Sequence, residues 1–522
     1  MRTRSRQSLA GVSRRDLFRT GGLIAAGAVR AEAAPGANPA IPDPEVYTRI
    51  GVRPFINCTA TYTINGGSQM LPEVISTVAQ ASYYHVNLDE LMEKVGDRLA
   101  ELLQVGWGIV TAGAAAALTH ATAGCLAGTD PEKIQRLPNL EGLKNEVIMP
   151  RESRNAYDHA VRTLGVRVIE VNSPAELRAA ISPHTALIAV LGSYFGEAKF
   201  DLKDIAPLAR EANIPILVDA AADYLIVPNP YIALGADLVA YSGGKIIRGP
   251  QNAGLLIGRR DLVRAAWTNS SPHHAFGRGL KVSKEAIVGM LRAVEIWRTE
   301  RGVQADFRAW KSWYAEISEV ITRVPGVQAE VRGPVRGGPF PVLNVYWDPE
   351  KIGLTARQVG RMLLDGEPRI MSHAEGEGHS FLLRPVAMKA GEYKIVARRL
   401  HEVFSSAPAR TETPQPHPPA LDISGAWDVG IDYEVGSSNH KLFLVAHGNR
   451  VSGFHEGWAY RGDLIGEMDG SEIRLRSSLP ADGNQLSYVF SGVVSEGGIS
   501  GDVELGEYGR ARWRARRHAN SG

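Results

Sequence analysis

From Tyr47 to Gly258 the apolar residues follow two alternating rhythms. In "PEVISTVAQASYYHVNLDELMEKVGDRLAELLQ", Leu88, Leu91, Met92, Val95, Leu99 and Leu102 recur at helical spacing, which predicts helices with one buried face. "WGIVTAG" reads as a strand running into a glycine, and "AAAALTHATAGCLAG" as an alanine-rich helix. "NEVIMP", "VRVIEV", "TALIAVLG", "IPILVDA" and "ADLVAYSG" are short and apolar on both faces, and helix-sized segments such as "PLAREAN" separate them. Strands buried on both faces and joined by helices predict an α/β domain with a mostly parallel sheet.

The rhythm changes after the long helical stretch "SKEAIVGMLRAVEIWRTERGVQADFRAWKSWYAEISEVITRV". "PFPVLNVYW", "TARQVGRMLLDG", "PRIMSHA", "HSFLLRP" and "GEYKIVARRLHEVFSS" predict a smaller α/β domain. "SAPARTETPQPHPPAL" is proline-rich, polar and unpatterned, hence a linker. Beyond it, short alternating strands with glycine turns predict a small all-β barrel or sandwich. The expected division is 1–33 leader, 34–300 N-terminal arm and large domain, 301–406 small domain, 407–420 linker and 421–522 β domain.

Composition narrows the classes. The 522 residues carry a formal net charge of +2, which gives no general case for nucleic acid or an anionic surface. Cys58 and Cys125 are the only cysteines, too few for a disulfide framework or a thiolate zinc site. At the start, Arg14 and Arg15 precede the apolar "RTGGLIAAGAV" and the small-residue "AEA". That series resembles a twin-arginine export signal and implies a periplasmic or secreted protein with no membrane anchor after cleavage.

The candidate chemistry centres on "AYSGGKIIRGPQNAGLLIG", where Lys245 stands after two glycines. A phosphate-binding P-loop needs a lysine followed by Ser or Thr at a helix start, and neither follows here. Upstream, Asp219 ends the strand "ILVDAA", Ser242 ends another, and Gly113 and Ala114 lie where a strand meets a helix start. Together these fit pyridoxal 5'-phosphate. An amine joins its aldehyde as an imine, a carboxylate keeps its ring nitrogen protonated, and helix N–H groups with a hydroxyl hold its phosphate.

"RIGVRPFINCTATYTINGGSQMLPEV", "GAAAALTHATAGCLAG", "RNAYDHAVRTLGVRVIEV", "ILVDAAAD", "SGGKIIRGPQNAGLLIGRRDLV" and "GRGLKVSKEAIVGMLRAVE" together resemble the fold-type-I pyridoxal phosphate family, over about Tyr47 to Phe404. The nearest branch is that of selenocysteine synthase and D-glucosaminate-6-phosphate ammonia-lyase, aminotransferase class V-like. The resemblance implies Lys245 as the cofactor-bonding lysine, Asp219 as the ring-nitrogen partner, and Gly113, Ala114 and Ser242 at the phosphate. It also implies Arg278 and Lys281 near a subunit interface, reaching a neighbour's phosphate, and Arg369 at the substrate carboxylate. The chain is then a homodimer or larger, acting on a small amino acid or amino sugar acid and not on nucleic acid. The tRNA-linked reaction fits less well than elimination by an ammonia lyase, because an exported protein meets no aminoacyl-tRNA. Transamination, racemisation, selenium transfer and a non-catalytic binding role stay open. One departure stands out: Ser153 or its neighbours occupy the place of the expected ring-stacking histidine, with His159 or Tyr157 as candidate substitutes.

Other polar clusters have bland and functional readings. "SHAEGEGHS" holds His373, Glu375, Glu377 and His379 at no standard metal spacing, so a mobile glycine-rich loop at the site mouth is expected. His273 and His274 belong to a substrate loop or a surface connection, and His120 to helix packing. Asn57–Ser68 is read either as an active-site arm or as a surface strand. In the β domain Trp427, Trp458 and Trp513 are expected in the core. Arg510, Arg512, Arg514, Arg516 and Arg517 are expected on a solvated edge strand, where charge blocks further pairing.

Overall fold

Burial on both faces sets the large sheet. The computed structural model describes residues 44–192, 199–333, 339–374, 376–409 and 416–519. The arginine pair with its apolar run, Glu375 and the middle of the linker lie outside them. Residues 1–52 form one unit, whose described part holds a single helical turn at Glu45–Thr48, and Arg53–Gly522 forms the other.

In this second unit seven strands make the central sheet: β1 (Trp107–Thr111), β2 (Glu146–Pro150), β3 (Arg167–Val171), β4 (Thr185–Leu191), β5 (Ile216–Asp219), β6 (Leu238–Ser242) and β7 (Gly254–Gly258). Their order is β1-β7-β6-β5-β4-β2-β3. All neighbours run parallel except β7, which returns antiparallel between β1 and β6. Helix α1 (Gly113–Ala127) is apolar almost all round and lies buried behind the sheet. Its small side chains permit close contact: a Cβ added at Gly124 would sit 2.8 Å from the backbone nitrogen of Ala266 in the helix Arg260–Thr268.

The smaller domain is a three-stranded antiparallel sheet in the order Ser380–Leu383, Val342–Trp347, Val327–Arg332. Helix Val303–Ile321 links the two cores, with Trp310 packed in the first and Tyr314, Ile317 and Ile321 in the second. The arm strand Ile56–Asn57 pairs with Ile370–Met371. The arm is no surface strand: Asn57 and Thr59 are buried and hydrogen-bonded to each other. The glycine-rich loop is tied down, since the Gly378 and Gly376 carbonyls accept from the Ala356 and Arg357 N–H groups at 2.8 and 2.9 Å, capping the helix Ala356–Asp365.

The C-terminal domain is a closed barrel of eight consecutive antiparallel strands, from Gly425–Asp432 to Arg510–Arg517. Closure corrects the edge-strand expectation, because Arg510–Arg517 pairs on both sides, with Gly425–Asp432 and with Gly498–Glu504. Its arginines do face outward, and Arg510, Arg512 and Arg514 pair with Glu504, Asp502 and Asp432 at 3.2, 3.2 and 2.8 Å. Trp427 and Trp513 fill the interior with Phe490, but Trp458 is 94% exposed, against the core expectation. Inside the barrel His440 Nδ1 meets His455 Nε2 at 2.7 Å, and His455 Nδ1 meets Ser477 Oγ at 2.7 Å.

Phe490 stacks edge-on with Trp513 and His455 and is fully buried. Phe490→Ala should cost about 3–5 kcal/mol of barrel stability, seen as a lower denaturant midpoint for the tryptophan signal. An unchanged midpoint would count against this packing.

Candidate active site

Three strand ends meet at the carboxyl edge of the sheet, where open α/β sheets bind ligands. β5 ends in Asp219, whose Oδ1 accepts the Ala221 N–H at 3.0 Å. Four residues on, Asp223 is buried and accepts the Tyr231 hydroxyl. β6 ends in Ser242 and leads into the lysine turn, and β1 leads through Ala112 into α1.

The glycines before Lys245 have a steric cause. A Cβ added at Gly243 would lie 2.5 Å from Met290 Sδ, and one at Gly244 would lie 2.1 Å from Gln251 Oε1. Only bare backbone fits this bend. The arm closes over it within the same chain: Ser68 N–H donates to the Gly244 carbonyl at 2.9 Å, and Arg248 Nε donates to the Gln69 carbonyl at 2.9 Å. Ser68 Oγ is buried beside this bend and has no hydrogen-bond partner among the described residues.

Lys245 and Asp219 are half-buried. Burial pushes the Lys245 ammonium below the usual lysine range, with Asp219 and Asp223 opposing. Burial likewise raises the Asp219 carboxyl, opposed by the Ala221 N–H and Lys245. Asp223 is raised by burial too, with the Tyr231 hydroxyl pulling it back. Desolvation thus favours a neutral amine, while a positive charge placed against Asp219 would favour its ionised form.

Next to Asp219 a narrow cavity is lined by Met149, Ser153, Asn155, Asp158 and the β4 residues Ala189 to Leu191. Ser153 lines this cavity, and a serine side chain cannot stack on a ring. Tyr157 and His159 are both exposed, and the Tyr157 ring centroid is 5.9 Å from Lys245 Nζ.

At the start of α1, Gly113 has φ +85°, and a Cβ there would meet nothing within 4 Å. No side chain caps this helix end, so its first N–H groups have no side-chain partner. Gly254 on β7 makes room for the turn, since a Cβ there would strike the Gly113 carbonyl carbon at 2.4 Å. An open helix N-terminus suits a phosphate, a neutral lysine amine suits an aldehyde, and a buried carboxylate suits a pyridinium. The residues present fit pyridoxal phosphate.

Comparison with known proteins agrees. The description "Aminotransferase class-V" matches residues 65–276. That stretch is an aminotransferase class-V domain. D-glucosaminate-6-phosphate ammonia lyase from Salmonella typhimurium is 28% identical over 377 residues, covering 70% of this chain and 99% of the relative. A solved structure of a D-glucosaminate-6-phosphate ammonia-lyase superposes with TM-score 0.61 at 27% identity, covering 70% of this chain and 99% of its own. A 5'-C-glycyluridine monooxygenase-decarboxylase from Streptomyces sp is also 28% identical, covering 69% of this chain and 92% of the relative. An L-seryl-tRNA(Sec) selenium transferase from Geobacter metallireducens matches at 23% over 33% of this chain and 43% of its own length. The chain is thus a pyridoxal phosphate-dependent, lyase-like enzyme with a fold-type-I architecture.

Around the class-V domain the expected residues divide. Lys245, Asp219, Ser242, Gly113 and Ala114 all lie at or just beyond the ends of β1, β5 and β6. Arg369 spends its guanidinium on the Leu364 and Arg53 carbonyls, both at 3.0 Å. Arg278 and Lys281 are exposed, and Arg278 reaches Ser271 Oγ at 3.4 Å. His273 is a structural connector, hydrogen-bonded to Asp89 and to the Trp267 and Ser270 carbonyls. His120 is buried against Gly277, and burial lowers its pKa to about 4. His373 packs edge-on against Tyr62, and His379 against Trp347. No group of three metal-binding side chains occurs among the described residues. Cys58 and Cys125 are both free.

Sequence reading missed Ser68, Asp223 and Arg384. Half-buried Arg384 follows the strand Ser380–Leu383, with its N–H on the Cys58 carbonyl at 3.0 Å. Its guanidinium has no hydrogen-bond or ion-pair partner among the described residues. The one available signal was an arginine inside the apolar run "FLLRP".

Lys245→Ala should give a protein without the cofactor's visible absorbance and without a borohydride-fixed adduct in peptide maps. Asp219→Ala should retain part of the cofactor and lose at least about a hundredfold in turnover, the usual worth of a positioned catalytic group. Full activity in the Asp219 variant would remove it from the site.

Proposed function

We propose that this enzyme is an exported ammonia lyase that eliminates a β-substituent from a small amino acid or amino sugar acid. The observation that carries the reading is the Lys245 amine, which burial holds toward its neutral form beside two carboxylates. Support comes from the likeness to D-glucosaminate-6-phosphate ammonia lyase over 99% of that relative's length.

Lys245 would hold the cofactor aldehyde and Asp219 its ring nitrogen. The N–H groups at Gly113 and Ala114, with the Ser242 and Ser68 hydroxyls, would hold its phosphate. The bound cofactor supplies a sink for the electrons of the broken Cα–H bond. Lys245 Nζ would take the proton from the substrate α-carbon. The group on the β-carbon would then leave with its bonding electrons, and one water would convert the resulting enamine, through its imine, to a keto acid and ammonia. Arg384, with its unshared guanidinium, has donors free for a substrate carboxylate that Arg369 gives to the Leu364 and Arg53 carbonyls. Arg278 and Lys281 are assigned to the phosphate site of a neighbouring copy in a homodimer or larger assembly.

A screen of D- and L-amino acids and amino sugar acids should release ammonia and keto acid in equal amounts without an added amino acceptor. A requirement for an acceptor would make the enzyme a transaminase, and inversion without ammonia a racemase. Oxygen uptake with carbon dioxide release, read in the same screen, would move it toward the chemistry named for the Streptomyces relative. For export, replacing Arg14 and Arg15 by lysine should leave the protein in the cytoplasmic fraction. Unchanged periplasmic or secreted yield would overturn that part.

A further inference from the structure

The hairpin between barrel strands Glu472–Ala481 and Asn484–Ser495 has a two-residue turn, Asp482–Gly483. Both residues have positive φ, +46° and +79°, as a tight hairpin of this twist requires. This turn touches the large domain at the cavity wall. A Cβ added at Gly483 would lie 2.7 Å from the Asn155 nitrogen, 2.9 Å from Asp158 Oδ2 and 3.0 Å from the Asn155 carbonyl oxygen. Asp482 Oδ2 accepts the Tyr460 hydroxyl at 2.9 Å and stands 3.6 Å from Arg162 NH1.

The segment under the turn is a closed knot of polar contacts. Arg162 Nε donates to Asp158 Oδ1 at 2.8 Å, and Arg154 donates to Asp158 Oδ2 and to Glu170. Asn155 Oδ1 accepts the Tyr157 N–H at 2.8 Å, and Asn155 Nδ2 donates to the Ser153 carbonyl at 2.9 Å. Ser153, Asn155 and Asp158 line the cavity with Asp219, and Tyr157 holds its ring near Lys245. Asn155 and Asp158 are held on one side by the knot and on the other by the barrel turn, and Tyr157 is tied to them through its N–H.

We infer that the barrel is part of the active-site architecture: Asp482 and Gly483 are positioning residues that seat Asn155–Asp158, and with it Tyr157, over the cofactor. The relative matched over 99% of its own length covers only 70% of this chain, so the remaining 30% has no counterpart there. With a serine at position 153, the cover of the ring rests on a loop that this added domain presses into place. The inference depends on the pyridoxal phosphate reading of the site.

The test uses the full chain. Gly483→Ala puts a methyl group into the contact, and Gly470→Ala, at another barrel turn with φ +59° and only His417 Cβ near at 3.8 Å, imposes similar backbone strain away from it. Freed of cofactor and titrated with pyridoxal phosphate, Gly483→Ala should bind about tenfold more weakly than wild type, equal to about 1.4 kcal/mol, and show an altered visible circular-dichroism band. Gly470→Ala should match wild type in both. Asp482→Ala, which adds no bulk, should speed amide exchange across residues 153–158. Gly483→Ala with wild-type affinity and dichroism, or Asp482→Ala with unchanged exchange, would overturn the inference. Failure of wild type itself to form a borohydride-fixed adduct at Lys245 would instead overturn the cofactor reading beneath it.

Discussion

An ammonium group taken out of water loses several kcal/mol of hydration unless charges or hydrogen bonds replace it. Lys245 is in that position, with Asp219 and Asp223 as the charges that oppose the loss. The balance leaves an amine that gives up its proton more easily than an exposed lysine, which a nucleophile toward an aldehyde needs. Much of the large domain can be understood as the means of holding that amine there. Parallel strands deliver both carboxylates and the lysine turn to one edge, and the arm closes the turn from the other side. The helix α1 brings uncapped N–H groups to the same edge without adding a charge.

This arrangement depends on missing side chains as much as on present ones. Gly243, Gly244 and Gly254 each occupy a point where a methyl group would meet neighbouring atoms at 2.1 to 2.5 Å. Such contacts cannot be absorbed by a rotamer change when backbone is among the atoms met, as it is at Gly254. Alanines along α1 serve the same end, letting a helix lie close behind strands that are themselves fully buried. The result is a site with little freedom to adjust, which suits groups that must keep their distances to a small planar cofactor.

The sequence rendered this half of the molecule well because its signals are local. Apolar runs bounded by glycine mark the strands, and Asp219 and Lys245 announce themselves by standing at the ends of such runs. What escaped was set by pairing at long range. Whether Arg510–Arg517 is an edge depends on the strand Gly425–Asp432, some eighty residues earlier, closing the barrel against it. Arg369 and Arg384 look alike in sequence, and only the Leu364 and Arg53 carbonyls around the first distinguish them. Ser68 lies in a polar arm whose contact with Gly244 no periodicity reveals.

The linked imidazoles of His440 and His455 carry a consequence for the barrel alone. Two neutral rings can share one proton between Nδ1 and Nε2, whereas protonating both would set two N–H donors and two positive charges face to face. Burial lowers both rings below the ordinary histidine range, His455 to about 3. The unfolded chain therefore binds protons that the native barrel refuses, and native stability drains away as acidity rises from about pH 6.5 toward 3. Acid thus acts on this domain from within its interior.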